Sequence, residues 1–442
     1  MLVEFEFSNF RSFRDSTLLT MRSSREQRFR HRVPRFESRY RISVNPIAAI
    51  YGANASGKSN LLDALWQLRS IVVGGMSVAR VANCAFKLSA MARQEPTTFK
   101  VIFMHHGQMY TYFLAVRKGR VIEEYLYLIR AENELMIFDR SEAEVQLGLL
   151  SDNVLLAELV KNVKPAQAFA SMVAQMFAGN SEFTDYLAPF AFLDRIVWAS
   201  PVSDDVFMLG AYKINTIGQA LSALSIGVVR LNFTPLNVEE SPFSEQEIEE
   251  RFPEFMDFGR EVYVVRNGRL FVLAVDAEAE VSIHHVGFVH QGEDGGEVVL
   301  EWRDQSEGTK RIIAILPWLW LAANHPEPPI LLIDELDQSL HTQVVQQIIQ
   351  GYLDSCTKDT RAQLIFTAHD LLLMDLDYFR RDEIWIVEKD LQGESRLIGL
   401  NEYRGLRNDK DIRKSYLQGR FGGVPHISGF QLAEQFSALG GE

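Results

Sequence analysis

Apolar and polar positions alternate with a two-residue period over Leu2–Phe7, through Phe99, Val101 and Phe103, through Tyr110 and Tyr112, and over Val121–Tyr127. This period predicts strands with one buried face. His106-Gly107 interrupts Phe99–Val116 at its middle, so that stretch reads as an antiparallel hairpin, which Val121–Tyr127 continues into a small β layer. A second set of strands is expected at Val262–Val265, Leu270–Val275 and Val281–Val289, where Asn267-Gly268 supplies a strong hairpin turn. Ile47–Ile50, Pro329–Glu335 and Gln363–His369 differ, their apolar runs lacking alternation, as in a parallel sheet covered on both faces. Helical spacing marks Asn60–Leu68, Leu155–Val163, Ala168–Ala178, Ile217–Val229 and Ile312–Trp320. The region from about 147 to 260 is mainly helical, without a sustained heptad, internal repeat or low-complexity tract.

The Ile47–Ile50 strand runs into Gly52-Ala53-Asn54-Ala55-Ser56-Gly57-Lys58-Ser59, and Asn60 opens the helix that follows. Every fixed position of the G-x-x-x-x-G-K-[ST] phosphate cradle is met in its strand–loop–helix context. The glycines let backbone N–H groups turn inward, and the helix start adds its own free donors. A nucleoside triphosphate site is predicted, with Lys58 on the β- and γ-phosphates and the Ser59 hydroxyl on Mg2+.

Asp334 and Glu335 end the second apolar strand, where a sheet ATPase needs carboxylates: Asp334 for magnesium, Glu335 to orient or deprotonate the attacking water. Ser306-Glu307-Gly308-Thr309 opens the preceding helix and reads either as a phosphate-facing signature or as a plain helix cap. His369, at the end of the third apolar strand, is placed as a γ-phosphate sensor or water-orienting group, the alternative being a core histidine.

The order of phosphate loop, S-x-G-T, ILLIDE, L-D-x-x-L-H and TAHD resembles the ABC/SMC-type ATPase superfamily. The opening F-S-N-F-R-S-F, Arg380–Asp390 and Tyr416–Pro425 resemble the RloA/AbiL-like AAA-type ATPases found beside restriction and phage-defence genes. The resemblance implies an α/β fold: a P-loop ABC/SMC-like head, mostly parallel sheet plus an antiparallel β layer, with a mainly helical insertion. It divides the chain into an N-terminal half of the head (1–141), a projecting helical insertion or lid (142–260) and a C-terminal half (261–442). It implies ATP and Mg2+ as cofactors, ATP hydrolysis, and at least a dimer, with Ser306 and Gly308 of one copy facing the phosphates held by Lys58 of another and Asp337 at the shared interface. It further implies a sensor and switch in antiphage defence, with a separately encoded nuclease or toxin as effector and a phage-derived trigger. The signature carries less glycine than the superfamily usually has, and the magnesium-sensing glutamine has no placed counterpart, Gln94 and Gln108 being unsupported candidates. The alternative is a RecF-like repair ATPase on duplex DNA.

Composition narrows the rest. With 442 residues and a net charge of −13, the surface as a whole is no polyanion binder, so nucleic acid would need a local patch. The arginine-dense stretch Arg22–Arg41, interleaved with Phe29, Phe36 and Tyr40, is either that patch or a solvated edge. His105 and His106, adjacent on an expected strand, should face opposite sides, against shared metal ligation; His284, His285 and His290 lack ligand spacing. Two unpaired cysteines, Cys84 and Cys356, fit a reducing, cytoplasmic setting. The apolar run Ile312–Ala323, with Pro317 inside it, is too short to span a bilayer, and no signal peptide opens the chain, so a soluble protein without a membrane partner is expected. About 70 residues follow His369, too few for the nuclease domain of OLD-type relatives.

Overall fold

The computed structural model describes residues 1–36, 40–199, 226–251, 261–275, 281–325, 327–403 and 412–420, together with 218, 221 and 224. Its central sheet runs Ile196–Trp198, Ile330–Ile333, Gln363–Thr367, Ile47–Tyr51, Ile384–Lys389, Ser395–Gly399. The first five strands are parallel and Ser395–Gly399 is antiparallel to its neighbour. Every residue of the Ile47–Tyr51, Ile330–Ile333 and Gln363–Thr367 strands is buried, which is why these sequences do not alternate. The phosphate-loop strand, Ile47–Tyr51, lies between the histidine strand, Gln363–Thr367, and Ile384–Lys389, so three strand ends open on one side.

A seven-stranded antiparallel sheet stands beside it in the order Glu144–Leu147, Glu134–Ser141, Arg120–Ile129, Gln108–Arg117, Thr97–His105, Leu2–Ser8, Thr17–Thr20. Its inward face (Phe5, Phe7, Phe99, Val101, Phe103, Tyr112) shares one apolar core with Leu61, Leu65 and Leu68 of the Lys58–Val72 helix. Gln363 ties the two sheets together. Its amide donates to the carbonyls of Leu2 (2.9 Å) and Asn45 (3.3 Å), and its oxygen accepts from Leu2 N–H (2.6 Å). The turn after Thr97–His105 has positive φ at both His106 (45°) and Gly107 (73°), as a tight hairpin requires. His106 therefore belongs to the turn and not to a strand, and its ring lies 4.1 Å from that of His105 instead of on the opposite face.

Within 142–260, the described helices Val154–Lys161, Phe169–Phe177 and Thr184–Asp194 contribute Leu156, Phe169, Val173 and Phe192 to the core under the antiparallel sheet. Strands Glu144–Leu147, Ile196–Trp198 and Arg230–Leu236 also fall there; their short or mixed patterns gave no clear period. Most of the expected Ile217–Val229 helix lies outside the described residues.

A third sheet has Arg230–Leu236, Val281–Gln291, Arg269–Val275 and Glu261–Arg266 in order, with Glu297–Leu300 added on Val281–Gln291. The expected Asn267-Gly268 turn has φ of 54° and 73°. Val286 and Phe288 of this sheet pack with Trp302, Ile312 and Ile313, seating it on the Glu307–Asn324 helix. That helix starts earlier than apolar spacing indicates because Ser306 caps it, accepting from Thr309 N–H at 3.1 Å. No helix among the described residues is long and apolar enough to cross a membrane. Tyr416 lies buried in the Ile412–Leu417 helix, and residues 421–425 of the late motif lie outside the described residues.

Candidate functional site

The loop from Gly52 to Gly57 leaves the phosphate-loop strand at its carboxyl end and enters the Lys58–Val72 helix directly. Two positions there exclude side chains. A Cβ on Gly57, at φ 116°, would lie 2.6 Å from Ser395 Oγ and 2.7 Å from Ser12 Oγ; one on Gly52 would collide with the Val387 carbonyl. The opening motif thus has a structural reason: Asn60 donates to Ser12 Oγ (2.8 Å), Ser12 O accepts from Ser395 N–H (2.7 Å), and Arg11 pairs with Asp63 (2.7 Å) one turn into the helix. Ser8–Phe13 is a buttress for the phosphate loop, with Phe10 and Phe13 fully buried beneath it.

Gly57 caps the helix without a side-chain acceptor, so its first N–H groups stay open to an anion. Lys58 is 5% exposed. Its ammonium donates to the carbonyls of Gly52 (2.8 Å) and Ala53 (3.1 Å) and lies 3.3 Å from His369 Nδ1, with no carboxylate of the described residues in salt-bridge contact. Burial lowers its pKa to about 8, against the opposing pull of Asp334, Glu335 and Asp337.

The acids follow the Ile330–Ile333 strand at once. Asp334 Oδ1 accepts from Thr367 Oγ1 (2.6 Å). Glu335 has φ 49°, a left-handed conformation costing roughly 1–2 kcal/mol outside glycine. Several bonds hold it there: Glu335 N–H donates to Thr367 Oγ1 (2.8 Å), Leu336 N–H to Thr367 O (2.9 Å), and Arg311 Nη2 to the carbonyls of Asp334 (2.6 Å) and Glu335 (3.2 Å). The result points the Glu335 carboxylate at His369 Nε2, 3.4 Å away. Asp337 Oδ2 accepts from the N–H groups of His369 (2.9 Å) and Asp370 (2.7 Å), fixing the histidine's backbone.

A cleft of about 600 Å³ collects Asn54, Ala55, Ser56, Gly57, Lys58, Ser59, Asn60, Glu335, His369 and Lys389. The loop residues predicted from sequence, Glu335 and His369 therefore meet in one space. Gly52 and Ala53 form its floor through their carbonyls on Lys58, and Asp334 and Asp337 stand behind Glu335 and His369. Ser306 and Gly308 do not line this cleft, nor do Gln94 and Gln108. Gly308 packs instead on the loop after the acids, where a Cβ would lie 2.6 Å from the Ser339 carbonyl. An uncapped helix start, a buried ammonium without a counter-ion among the described residues and a cradle closed to side chains fit a polyphosphate. Ser59 lines the cleft and Asp334 stands behind Glu335; these are the residues that would hold Mg2+.

Thr367 and Arg311 shape the site and were not foreseen. The partners that give Thr367 and Arg311 their role lie far away in the chain, invisible in one dimension. Four of the eight arginines in the arginine-dense stretch have intramolecular partners, among them Arg30, which donates to Ser23 Oγ at 3.2 Å. Arg32 pairs with Glu383 (2.7 Å), both buried; Arg22 pairs with Glu4 (2.5 Å) and Arg28 with Asp377 (3.4 Å). Arg25, Arg35 and Arg41 are exposed without a side-chain partner among the described residues, and Arg39 lies outside them. His285 bonds Glu301 (2.8 Å) and His290 bonds Gln305 (3.2 Å).

No curated protein sequence matches the chain. Among solved structures, the SMC head domain from Thermotoga maritima aligns at 15% identity over 90% of this chain and 98% of that one, with a TM-score of 0.37. The family described as "AAA domain, putative AbiEii toxin, Type IV TA system" matches residues 47–174 and 189–375. Those spans hold the phosphate loop, Ser306, Gly308, both acids, Asp337 and His369, and cover well over half of the sequence: the chain belongs to this AAA-domain family of nucleotide-binding proteins.

Proposed function

We propose that this chain hydrolyses ATP and acts as the nucleotide-driven switch of a bacterial antiphage or toxin–antitoxin system, gating a separately encoded nuclease or toxin in response to a phage-derived trigger. The observation that carries the hydrolytic reading is the convergence of Lys58, Glu335 and His369 on one cleft at the carboxyl ends of adjacent parallel strands. The family's description supplies the toxin–antitoxin setting, and the RloA/AbiL-like opening and Arg380–Asp390 motifs supply the defence setting.

Lys58 and the open N–H groups of the loop bind the β- and γ-phosphates and balance the charge that spreads over the γ-phosphoryl oxygens during transfer. Ser59 and Asp334 would hold Mg2+, which neutralises phosphate charge when bound. Glu335 accepts the proton of the attacking water as oxygen bonds to the γ-phosphorus and ADP departs. His369, 3.4 Å from Glu335 and 3.3 Å from Lys58, orients that water and reports whether the γ-phosphate is present. A second copy contributes Ser306 and Gly308 to close the cleft. The packing of Gly308 on the Ser339 carbonyl, with Arg311 on the carbonyls of Asp334 and Glu335, supports a coupling of signature to acids. Residues 1–141 and 261–442 serve as the two halves of the head, and 142–260 carries the trigger-sensing surface.

The test is Glu335→Gln. Steady-state hydrolysis should fall about 10²–10⁴-fold with ATP binding retained, and the variant should dimerise on ATP addition by analytical ultracentrifugation. Wild type and variant turning over ATP equally slowly would remove Glu335 from the chemistry and leave an ATP-binding scaffold.

A further inference from the structure

We propose that Lys389 is a nucleotide-contacting residue that grips the α-phosphate end of the ligand. It lies outside the spans matched by the family. It is the last residue of the Ile384–Lys389 strand, the parallel neighbour of the phosphate-loop strand, so both strands deliver their carboxyl ends to the same opening.

Two clefts meet at this residue. The phosphate-loop cleft continues into a hollow of about 440 Å³ lined by Arg11, Ser12, Phe86, Lys87 and Gly393 among others, and the side chains common to both are Asn60 and Lys389. A ligand whose β- and γ-phosphates sit on Lys58 and extends toward the hollow passes Lys389 with its α-phosphate.

The local acids do not hold this ammonium. Glu388 accepts from the Tyr403 hydroxyl (3.1 Å), Asp390 from the N–H groups of Gln392 and Glu394 (both 2.9 Å), and Glu394 faces Arg396 at 4.0 Å. Lys389 itself is exposed, with no side-chain hydrogen bond or ion pair among the described residues. Its backbone is nevertheless well fixed: its ladder partner Ser395 donates from Oγ to the Ser56 carbonyl (2.5 Å) and from N–H to the Ser12 carbonyl (2.7 Å). A free cation on a strand end locked to the phosphate loop is a preorganised anion contact.

This rests on the nucleotide reading above, and the test separates the two. Equilibrium binding of fluorescent ATP, ADP and AMP analogues is measured for wild type, Lys389→Met and Lys389→Arg, with thermal melts in the absence of nucleotide as a fold check. Lys389→Met should melt as wild type, weaken each nucleotide by about tenfold and flatten the salt dependence of binding; Lys389→Arg should recover most of the loss. Equal losses for ATP and ADP exclude a γ-phosphate contact, and a matching loss for the AMP analogue supports the α-phosphate over the β-phosphate. A loss confined to ATP, or to ATP and ADP, or none at all, overturns it. Wild type binding neither ATP nor ADP would refute the nucleotide reading itself.

Discussion

Glu124 and Arg140 are both wholly buried and face each other at 3.4 Å, and each makes further hydrogen bonds. Glu124 also accepts from the N–H groups of Phe169 (2.6 Å) and Ala170 (2.9 Å) and from the Tyr112 hydroxyl (2.9 Å). Arg140 donates to the carbonyls of Glu142 (2.7 Å), Lys164 (3.0 Å) and Gln167 (2.8 Å). Lys58 is nearly as buried, yet it rests on two carbonyls and an imidazole while its acids stay beyond contact. Burying charge is expensive in both places. Around Glu124 the Arg140 charge and three hydrogen bonds offset part of that cost, although burial still holds the carboxyl above its usual range, and the pair locks the start of the Phe169–Phe177 helix to the antiparallel sheet. Around Lys58 the cost is left standing, which is the electrostatic mark of a site completed by a ligand.

Removing one partner breaks this contrast most sharply. Glu124→Ala leaves Arg140 charged in a dry interior and strips the first N–H groups of the Phe169–Phe177 helix of their acceptor. It should cost about 3–5 kcal/mol, read as a lower urea midpoint at unchanged slope. Nucleotide affinity of the fraction still folded should stay at wild-type level. An unfolding free energy within 1 kcal/mol of wild type would show that Arg140 is not stranded as an uncompensated buried charge.

The pH response sharpens the comparison from the other side. With its pKa lowered to about 8 by desolvation, Lys58 loses its proton above that pH while the cleft is empty. Phosphate binding needs the ammonium, so ATP affinity should fall about tenfold between pH 7 and pH 9. Stability of the nucleotide-free protein should move oppositely. Between about pH 8 and the unfolded lysine's ordinary value, the unfolded chain binds the proton and the folded one does not, so the Lys58 contribution to stability rises with pH. The groups facing Lys58 are Asp334, Glu335, Asp337 and His369. Isothermal titration and denaturant melts across the range read the two signs separately, and parallel trends would show that the proton leaves from elsewhere.

The chemistry of the cleft was more legible in the sequence than its support. Gly52–Asn60 announces itself because the phosphate cradle demands particular residues at fixed spacing, and Asp334, Glu335 and His369 end apolar runs whose lack of alternation marks a parallel sheet. Its supports are contacts between distant residues: Ser12 and Ser395 against Gly57, Thr367 under Asp334, Arg311 on the carbonyls of the acids. No local period reports such pairings. The same limit hid the short Ile196–Trp198 strand, three residues that join the sheet only because the Ile330–Ile333 edge is there to pair with. The His105–His106 error arose from applying strand geometry one residue into a turn, where φ of 45° turns the ring back on its neighbour.

Arg22 and Glu4 provide the smallest test and calibrate the scale. Their 2.5 Å contact is shorter than the Glu124–Arg140 distance, but the two side chains are 39% and 24% exposed. If contact length set the energy, this pair would be the stronger one. If desolvation sets it, water screens the attraction and holding two long side chains still consumes most of the gain. Arg22→Gln should therefore cost less than about 1 kcal/mol, and that small cost should vanish in 1 M salt, whereas the penalty of Glu124→Ala should persist there. Equal salt sensitivity in the two variants would place Arg140 in contact with water and dissolve the distinction between a charge the fold has satisfied and one it holds open.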